Sequence, residues 1–396
     1  MPRWILRGLA TLLAAAGLAL AWDVATYDAA AWRADYVHLR TELAQGYANL
    51  DWMVERRGLD PVALDAATDR AIADAHSRLR AMLALRDFVA AFDDPHLRLV
   101  GRDGREIAAR PDPGPPVPRL PVASCAEAGY EEQGRDFSPA VQRLPGWTLL
   151  GGGEFPNGLA GDLGTLRIAS FGEDRYLGSC RAVFRPGMDE RALQLAVRAR
   201  LQQSLTSTIS DLQARGARRL LVDVTGNGGG TEWVGEVIAL FTDRALSRAS
   251  SRIVAPACDR SGIWRGEAVC PVFAGAGETA TMQGTGAWTG PLWILMDRRT
   301  GSATEDFVVW LQQNGVARTL GERTAGAGCG YVGGGGRIRL QAAPFDVMAP
   351  NCARFLRDGT NEVEGIAPDI GISLSGGGAA QQAAALWAAI GAAPAR

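Results

Sequence analysis

The chain reads as an α/β protein behind a helical N-terminal region, and three observations carry that reading. Short apolar runs bounded by turn residues recur at Gly164–Ser170, Arg219–Val224, Leu292–Met296 and Arg318–Thr324, and each has the length and flanks of a strand. Helical patterns separate them: a long amphipathic stretch over Glu190–Ala214, a shorter one over Trp233–Phe241, and Phe307, Val308 and Leu311 at helical spacing after Gly301. Strand and helix alternating from 164 to 324 predict βα units and a largely parallel sheet. Upstream, Tyr36, Leu39, Leu43 and Tyr47, then Ala63–Arg70 and Ala73–Leu85, keep the helical period, so Trp32 to Phe92 is expected to form a small bundle.

In chain order, Met1–Arg7 carries two arginines, and Gly8–Ala21 is apolar and ends Ala19-Leu20-Ala21 before Trp22-Asp23. A charged start, an apolar stretch short for a bilayer span and small residues at its end make residues 1–21 a secretory signal peptide. Cleavage is expected after Ala21, giving a periplasmic or secreted product with no stable membrane insertion. No cysteine follows that position, so no lipid anchor is expected. Residues 22–100 form the helical domain, closed by Asp94-Pro95-His96, because proline forbids helical geometry at the residue before it. Residues 101–162, with Arg110-Pro-Asp-Pro-Gly-Pro-Pro116, read as an irregular connector with two short strands. Residues 163–378 form the α/β core, with hairpins expected around Cys258–Cys270 and over Arg337–Met348, and 379–396 closes the chain as a helix.

Composition bounds the partners. With 396 residues, 47% hydrophobic and 21% charged, the chain can bury a large core and divide into two domains. The net charge is −2 and no basic run is interleaved with aromatics, so neither nucleic acid nor an anionic membrane is expected as a partner. There is no lysine; every one of the 41 basic residues is arginine. Walker-type phosphate loops, Schiff-base chemistry and Ser-Lys dyads all need a lysine and are excluded. Six cysteines fit an oxidising compartment, and with no C-x-x-C pair among them neither a zinc nor a redox centre is indicated. The expected pairs are Cys258 with Cys270, Cys329 with Cys352, and Cys125 with Cys180. Neither metal nor organic cofactor is expected.

Chemistry concentrates at a few positions. Ser302 stands between the run Leu292–Met296 and a helix, where the unpaired amides of a helix start favour developing negative charge. The same residues, Ser302-Ala-Thr-Glu305, spell a capping box, so helix capping and nucleophilic catalysis both account for the serine. Gly226-Asn-Gly-Gly-Gly230 follows a strand and precedes a helix. It can serve as a tight turn or, paired with Ser302, as an oxyanion hole, and it lacks the pattern of a nucleotide loop. Of the three histidines, His38 and His76 are expected on bundle helices and exposed; His96, on a turn, is the one placed like a site residue, although a surface turn also explains it. Glu364, before a proline turn, is either a solvated carboxylate or a site group. Serine needs a base to take its proton, and with lysine excluded only histidine, aspartate or glutamate can serve.

Five stretches occur in one order: Asp-Pro-His (94–96), Leu-Leu-Val-Asp-Val-Thr-Gly-Asn-Gly-Gly-Gly (220–230), Gly-Ser-Ala-Thr-Glu (301–305), Leu-Gly-Glu-Arg-Thr-Ala-Gly (320–326) and Val-Glu-Gly-Ile-Ala-Pro-Asp-Ile (363–370). In this the chain resembles the tail-specific, or C-terminal processing, serine peptidases. The segment before Asp94 is similar to the helical domain of the interphotoreceptor retinoid-binding protein and its bacterial relatives. Where the dyad enzymes of that family carry a lysine this chain has Ala327, and 101–160 has no PDZ signature, so the resemblance is to the tricorn-like branch. It implies a Clp-protease/crotonase-like core and hydrolysis of peptide or protein substrates. Ser302 would be the nucleophile, His96 the general base, Glu364 the group orienting it, and the amides of Gly229, Gly228 and Ala303 the oxyanion donors. A non-catalytic binding protein on the same fold is the alternative; an acyl-CoA enzyme of crotonase type fits the sheet but not the signal peptide.

Overall fold

The computed structural model describes residues 3–102 and 121–392. The proline-rich Arg110–Pro116 stretch and the outermost terminal residues lie outside them. Two compact units result. One combines the N-terminal segment with Arg252–Ala276 and Gly330–Ala353; the other takes the chain up to Ser251, Gly277–Cys329 and the residues from Arg354 onward.

The larger unit is built on a seven-stranded sheet whose strands we number β1 (Thr148–Gly151), β2 (Asn157–Ala160), β3 (Leu163–Arg167), β4 (Arg219–Asp223), β5 (Leu292–Met296), β6 (Arg318–Gly321) and β7 (Ile370–Gly371). They lie side by side in sequence order. β1 to β3 pair antiparallel and β3 to β7 parallel, with Leu220 opposite Leu292 and Leu320 opposite Leu295. Side chains alternate across the pleat, so both faces need cover. Leu220, Val222, Leu292 and Ile294 join a core with the apolar stripes of the helices Glu190–Ala214, Val234–Leu240 and Ala303–Gln313. Leu221, Trp293 and Leu295 point the other way, onto Leu386 and Ile390 of the closing helix Ala379–Ala392. The long helix starts where its sequence says it should, with Asp189 Oδ1 accepting the Ala192 amide at 2.7 Å.

The smaller unit contains the helices Arg3–Ala25, Ala29–Gly46, Leu50–Glu55, Pro61–Ala73 and Arg78–Ala90. No described helix is long and apolar enough to cross a membrane. Arg98–Gly101 pairs with Phe345–Ala349, which also pairs with Gly336–Ile338 in the hairpin expected there. Two segments that fall between 163 and 378 in sequence belong to this unit, and polar bonds explain why. Asp35, buried on the second helix, accepts the amides of Gln341, Ala342 and Ala343 at 2.6–2.9 Å. Fully buried Arg260 donates to Ala44 O at 2.9 Å and pairs with Asp51, and Trp264 Nε1 reaches Arg40 O at 2.8 Å.

Two local expectations change. Between Cys258 and Cys270 there is no hairpin: Ser261–Arg265 forms a 3₁₀ turn ending on Gly266 at φ 74°, because Ile263 and Trp264 are buried on the helical side. His76 lies in the turn between two helices rather than on one, since Ser77 caps the next helix by accepting the Arg80 amide. It is exposed, as is His38 on its helix.

Cys125–Cys180 and Cys258–Cys270 form disulfides, Cys329 and Cys352 are disulfide-bonded too, and no described cysteine is free. The first closes 55 residues and the second 12. Loop entropy then predicts that replacing Cys125 and Cys180 by alanine costs about 4 kcal/mol, against about 3 for the shorter loop. Urea unfolding of both double variants should show the larger midpoint drop for Cys125/Cys180.

Candidate active site

Two loops leave the C-terminal ends of the adjacent parallel strands β4 and β5, the place where open α/β sheets put their sites. They are stitched together. Asp297, just past β5, accepts the Gly226 amide at 2.8 Å and the Arg299 amide at 3.1 Å; Thr300 Oγ1 donates to Val224 O at 3.2 Å, and Gly301 N to Asn227 O at 3.0 Å. Buried Asn227 anchors the glycine loop by donating to Ile168 O at 3.1 Å.

Ser302 stands on the turn this stitching creates. Its backbone has φ 57° and ψ −121°, and only Asp93 shares a positive φ among the described non-glycine residues. Such a conformation costs on the order of 1–3 kcal/mol and persists only where its surroundings enforce it. The side chain lies beside the Glu305 amide, as in a capping box, yet makes no aligned capping bond; that amide donates to the Ser302 carbonyl at 3.0 Å. Gly229 (φ 112°) packs so closely that a Cβ there would stand 2.7 Å from Ser302 Cβ and 2.9 Å from Ala303 N. Only glycine allows this approach. The three expected oxyanion amides are not equivalent: Gly229 N–H donates to Asn227 Oδ1 at 2.9 Å, whereas those of Gly228 and Ala303 have no acceptor among the described residues.

Glu305, which in sequence looks like the far half of a capping box, does more than cap. Its fully buried carboxylate accepts four bonds: Oε2 from Ser302 N and Ala327 N, both at 2.9 Å, and Oε1 from Thr324 Oγ1 at 2.5 Å and Gly326 N at 2.8 Å. It thereby pegs the serine turn to the loop 324–327, whose Ala325 and Ala327 methyls face Gly301. Removal from water pushes its carboxyl up to about 7, the Glu362 charge adding to the rise and the Thr324 hydroxyl, Arg354 and Gly326 opposing it. Behind the turn, buried Arg354 donates to Ser302 O at 2.8 Å and pairs with buried Glu362.

Glu364 ends a 3₁₀ turn over Glu362–Glu364 and is half-buried. The turn packs against the same loop: a Cβ on Gly326 would meet Val363 O at 2.3 Å, and Arg323 donates to Gly365 O at 2.8 Å. Thus Ser302, Ala303, Gly228 and Gly229 cluster directly, and Glu364 stands one loop away in the same unit. His96 belongs to the other unit, where its surroundings hold it firmly. Its amide donates to Asp94 Oδ1 at 2.9 Å, and Asp94 is in turn fixed by the Tyr47 hydroxyl and Asn49, each at 2.9 Å. The imidazole meets the Tyr331 ring edge-on at 5.2 Å, and Gly330 (φ 75°) leaves it room, since a Cβ there would lie 2.7 Å from His96 Cε1.

Residues 162–372, just over half of the chain, match the family described as Peptidase family S41. The chain belongs to that family. Its members are serine peptidases with a Clp-protease-like fold, the architecture seen here from β3 to β7. No curated protein matches the sequence. Among solved structures, a candidate peptidase from Parabacteroides merdae shares 16% identity over 91% of this chain and 96% of that one, with a TM-score of 0.60. Mature CPAF shares 14% identity over the same fractions, with a TM-score of 0.62. A structure of mature CPAF complexed with lactacystin shares 15% over 87% of this chain and 94% of that one, with a TM-score of 0.58. At these identities the likeness speaks for the fold.

The peg carries a prediction. Glu305 binds its proton more tightly in the folded protein than at its ordinary 4.5, so stability from this group falls as pH rises from about 4.5 to about 7. The expected fall is about 3 kcal/mol. Glu305→Gln should flatten that slope; either orientation of its amide turns an NH₂ toward a backbone donor, so the variant is less stable than the wild type at pH 5, and the gap narrows by about 3 kcal/mol by pH 7.5 as the wild type loses its proton. Urea unfolding at pH 5 and pH 7.5 measures both.

Proposed function

We propose that the chain is an exported serine endopeptidase that cleaves peptide bonds through an acyl-enzyme on Ser302. The observation that carries this reading is the Ser302 backbone, whose strained conformation at a strand-to-helix turn is more than a helix cap requires and suits an exposed nucleophile. In this reading Ser302 Oγ attacks the scissile carbonyl while His96 takes its proton and later delivers it to the leaving amine. Glu364 orients the imidazole and stabilises its charged form. The amides of Ala303 and Gly228 meet the developing oxyanion, joined by that of Gly229 when it is shared with Asn227, at about 3–4 kcal/mol per donor. Water then hydrolyses the acyl-enzyme. Bonded cysteines and the N-terminal segment support a periplasmic or secreted location. The substrates are peptides or proteins.

A fluorophosphonate probe tests the nucleophile: labelling of the wild-type protein and none of Ser302→Ala is expected. His96→Ala should slow casein turnover roughly a thousandfold or more with the melting temperature kept. Lactacystin, seen bound to mature CPAF, supplies a second probe. A well-folded wild-type protein that neither labels nor turns over casein would leave a binding module in place of an enzyme.

A further inference from the structure

The Ser302 carbonyl is held from two directions. Along the helix it accepts the amides of Glu305 at 3.0 Å and Asp306 at 3.2 Å. From outside the helix Arg354 Nη2 donates to the same oxygen at 2.8 Å and to Gly328 O at 2.6 Å, while its Nε donates to Glu362 Oε2 at 2.7 Å. Glu362 is fully buried and also receives Arg248, whose other guanidinium nitrogen pairs with Asp306 on the first turn of the helix. Burial alone would push the Glu362 carboxyl up, but the Arg354 and Arg248 guanidiniums beside it hold it below its ordinary range. Arg354 therefore has its orientation set by a carboxylate that is itself fixed on both oxygens.

A trans peptide is planar, so the carbonyl of Ser302 and the N–H of Ala303 point in opposite directions and can only turn together. Whatever fixes the carbonyl fixes the amide, and a cation on the oxygen polarises the N–H as a donor. We propose that Arg354 is a positioning residue that aims and polarises the Ala303 oxyanion donor by gripping the Ser302 carbonyl, with Glu362 and Arg248 holding Arg354 in turn. This rests on the reading of Ser302 as nucleophile with the Ala303 amide at its oxyanion. The two helix amides move with the helix; Arg354 refers the same peptide to Glu362 and Gly328, which lie outside it.

The test compares fluorophosphonate labelling rates, kcat and KM for the wild-type protein, Arg354→Met, Arg354→Ala and the double variant Arg354→Met/Glu362→Met. The double variant removes the carboxylate together with its arginine, so no uncompensated charge is left buried to destabilise the fold. In variants that melt like the wild type, labelling rate and kcat should drop roughly 10- to 100-fold with KM unchanged, less than the loss of a whole oxyanion donor. Millimolar guanidinium should restore part of the Arg354→Ala labelling rate, which a merely structural role would not produce. A folded variant labelling at the wild-type rate overturns the proposal and leaves the nucleophile reading standing. Absence of labelling in the wild-type protein overturns that reading, and this inference with it.

Discussion

One buried carboxylate keeps the candidate site in register. Glu305 binds the backbone of the serine turn through one oxygen and that of the following loop through both. Four donors on a group with no access to water is an expensive arrangement unless every bond is made, and here every bond is made. The strain at Ser302 is tolerable for the same reason: a φ of 57° needs a surrounding that leaves the chain no alternative, and Glu305 closes off that alternative from the helix side.

The rest of the larger unit is arranged so that this small region can be tight. Parallel strands in sequence order bring the loops after β4 and β5 side by side, and apolar cover on both sheet faces makes their ends a rigid platform. Glycine then sets the spacing. Gly229 lets the two loops approach to contact distance. Gly230, where a Cβ would lie 2.0 Å from the Phe171 carbonyl carbon, lets the loop run against the Phe171 backbone, to which it is bridged.

Much of this was legible in the sequence, because the signals are local. Apolar runs marked β4, β5 and β6, helical spacing marked the helix after Ser302, and strand, turn and helix together marked the serine. What stayed hidden depends on residues far apart in the chain. Glu305 reads as a cap because Ser302 is three residues away, whereas its other partners lie 19 to 22 residues on. Arg354 is one arginine among 41 basic residues, and nothing near it in sequence says that it reaches back 52 residues to a carbonyl. Segments 252–276 and 330–353 join the helical unit through buried polar bonds, and apolar periodicity does not say which body a segment will join. The engagement of Gly229 by Asn227 is a local bond, but it depends on loop geometry that a run of glycines leaves open.

The bonds of Asp35 bear on how the protein comes into being. Its carboxylate waits for amides more than 300 residues downstream, and Arg260 must arrive to neutralise Asp51 and seal the helices around Ala44. A ribosome delivers the helical segment before its partners, and that segment cannot complete its interior until Arg260 and then residues 341–343 have emerged. Maturation of the helical unit, and of the histidine it carries, therefore waits for residues 341–343, so a translation product truncated before them would lack a finished scaffold for His96.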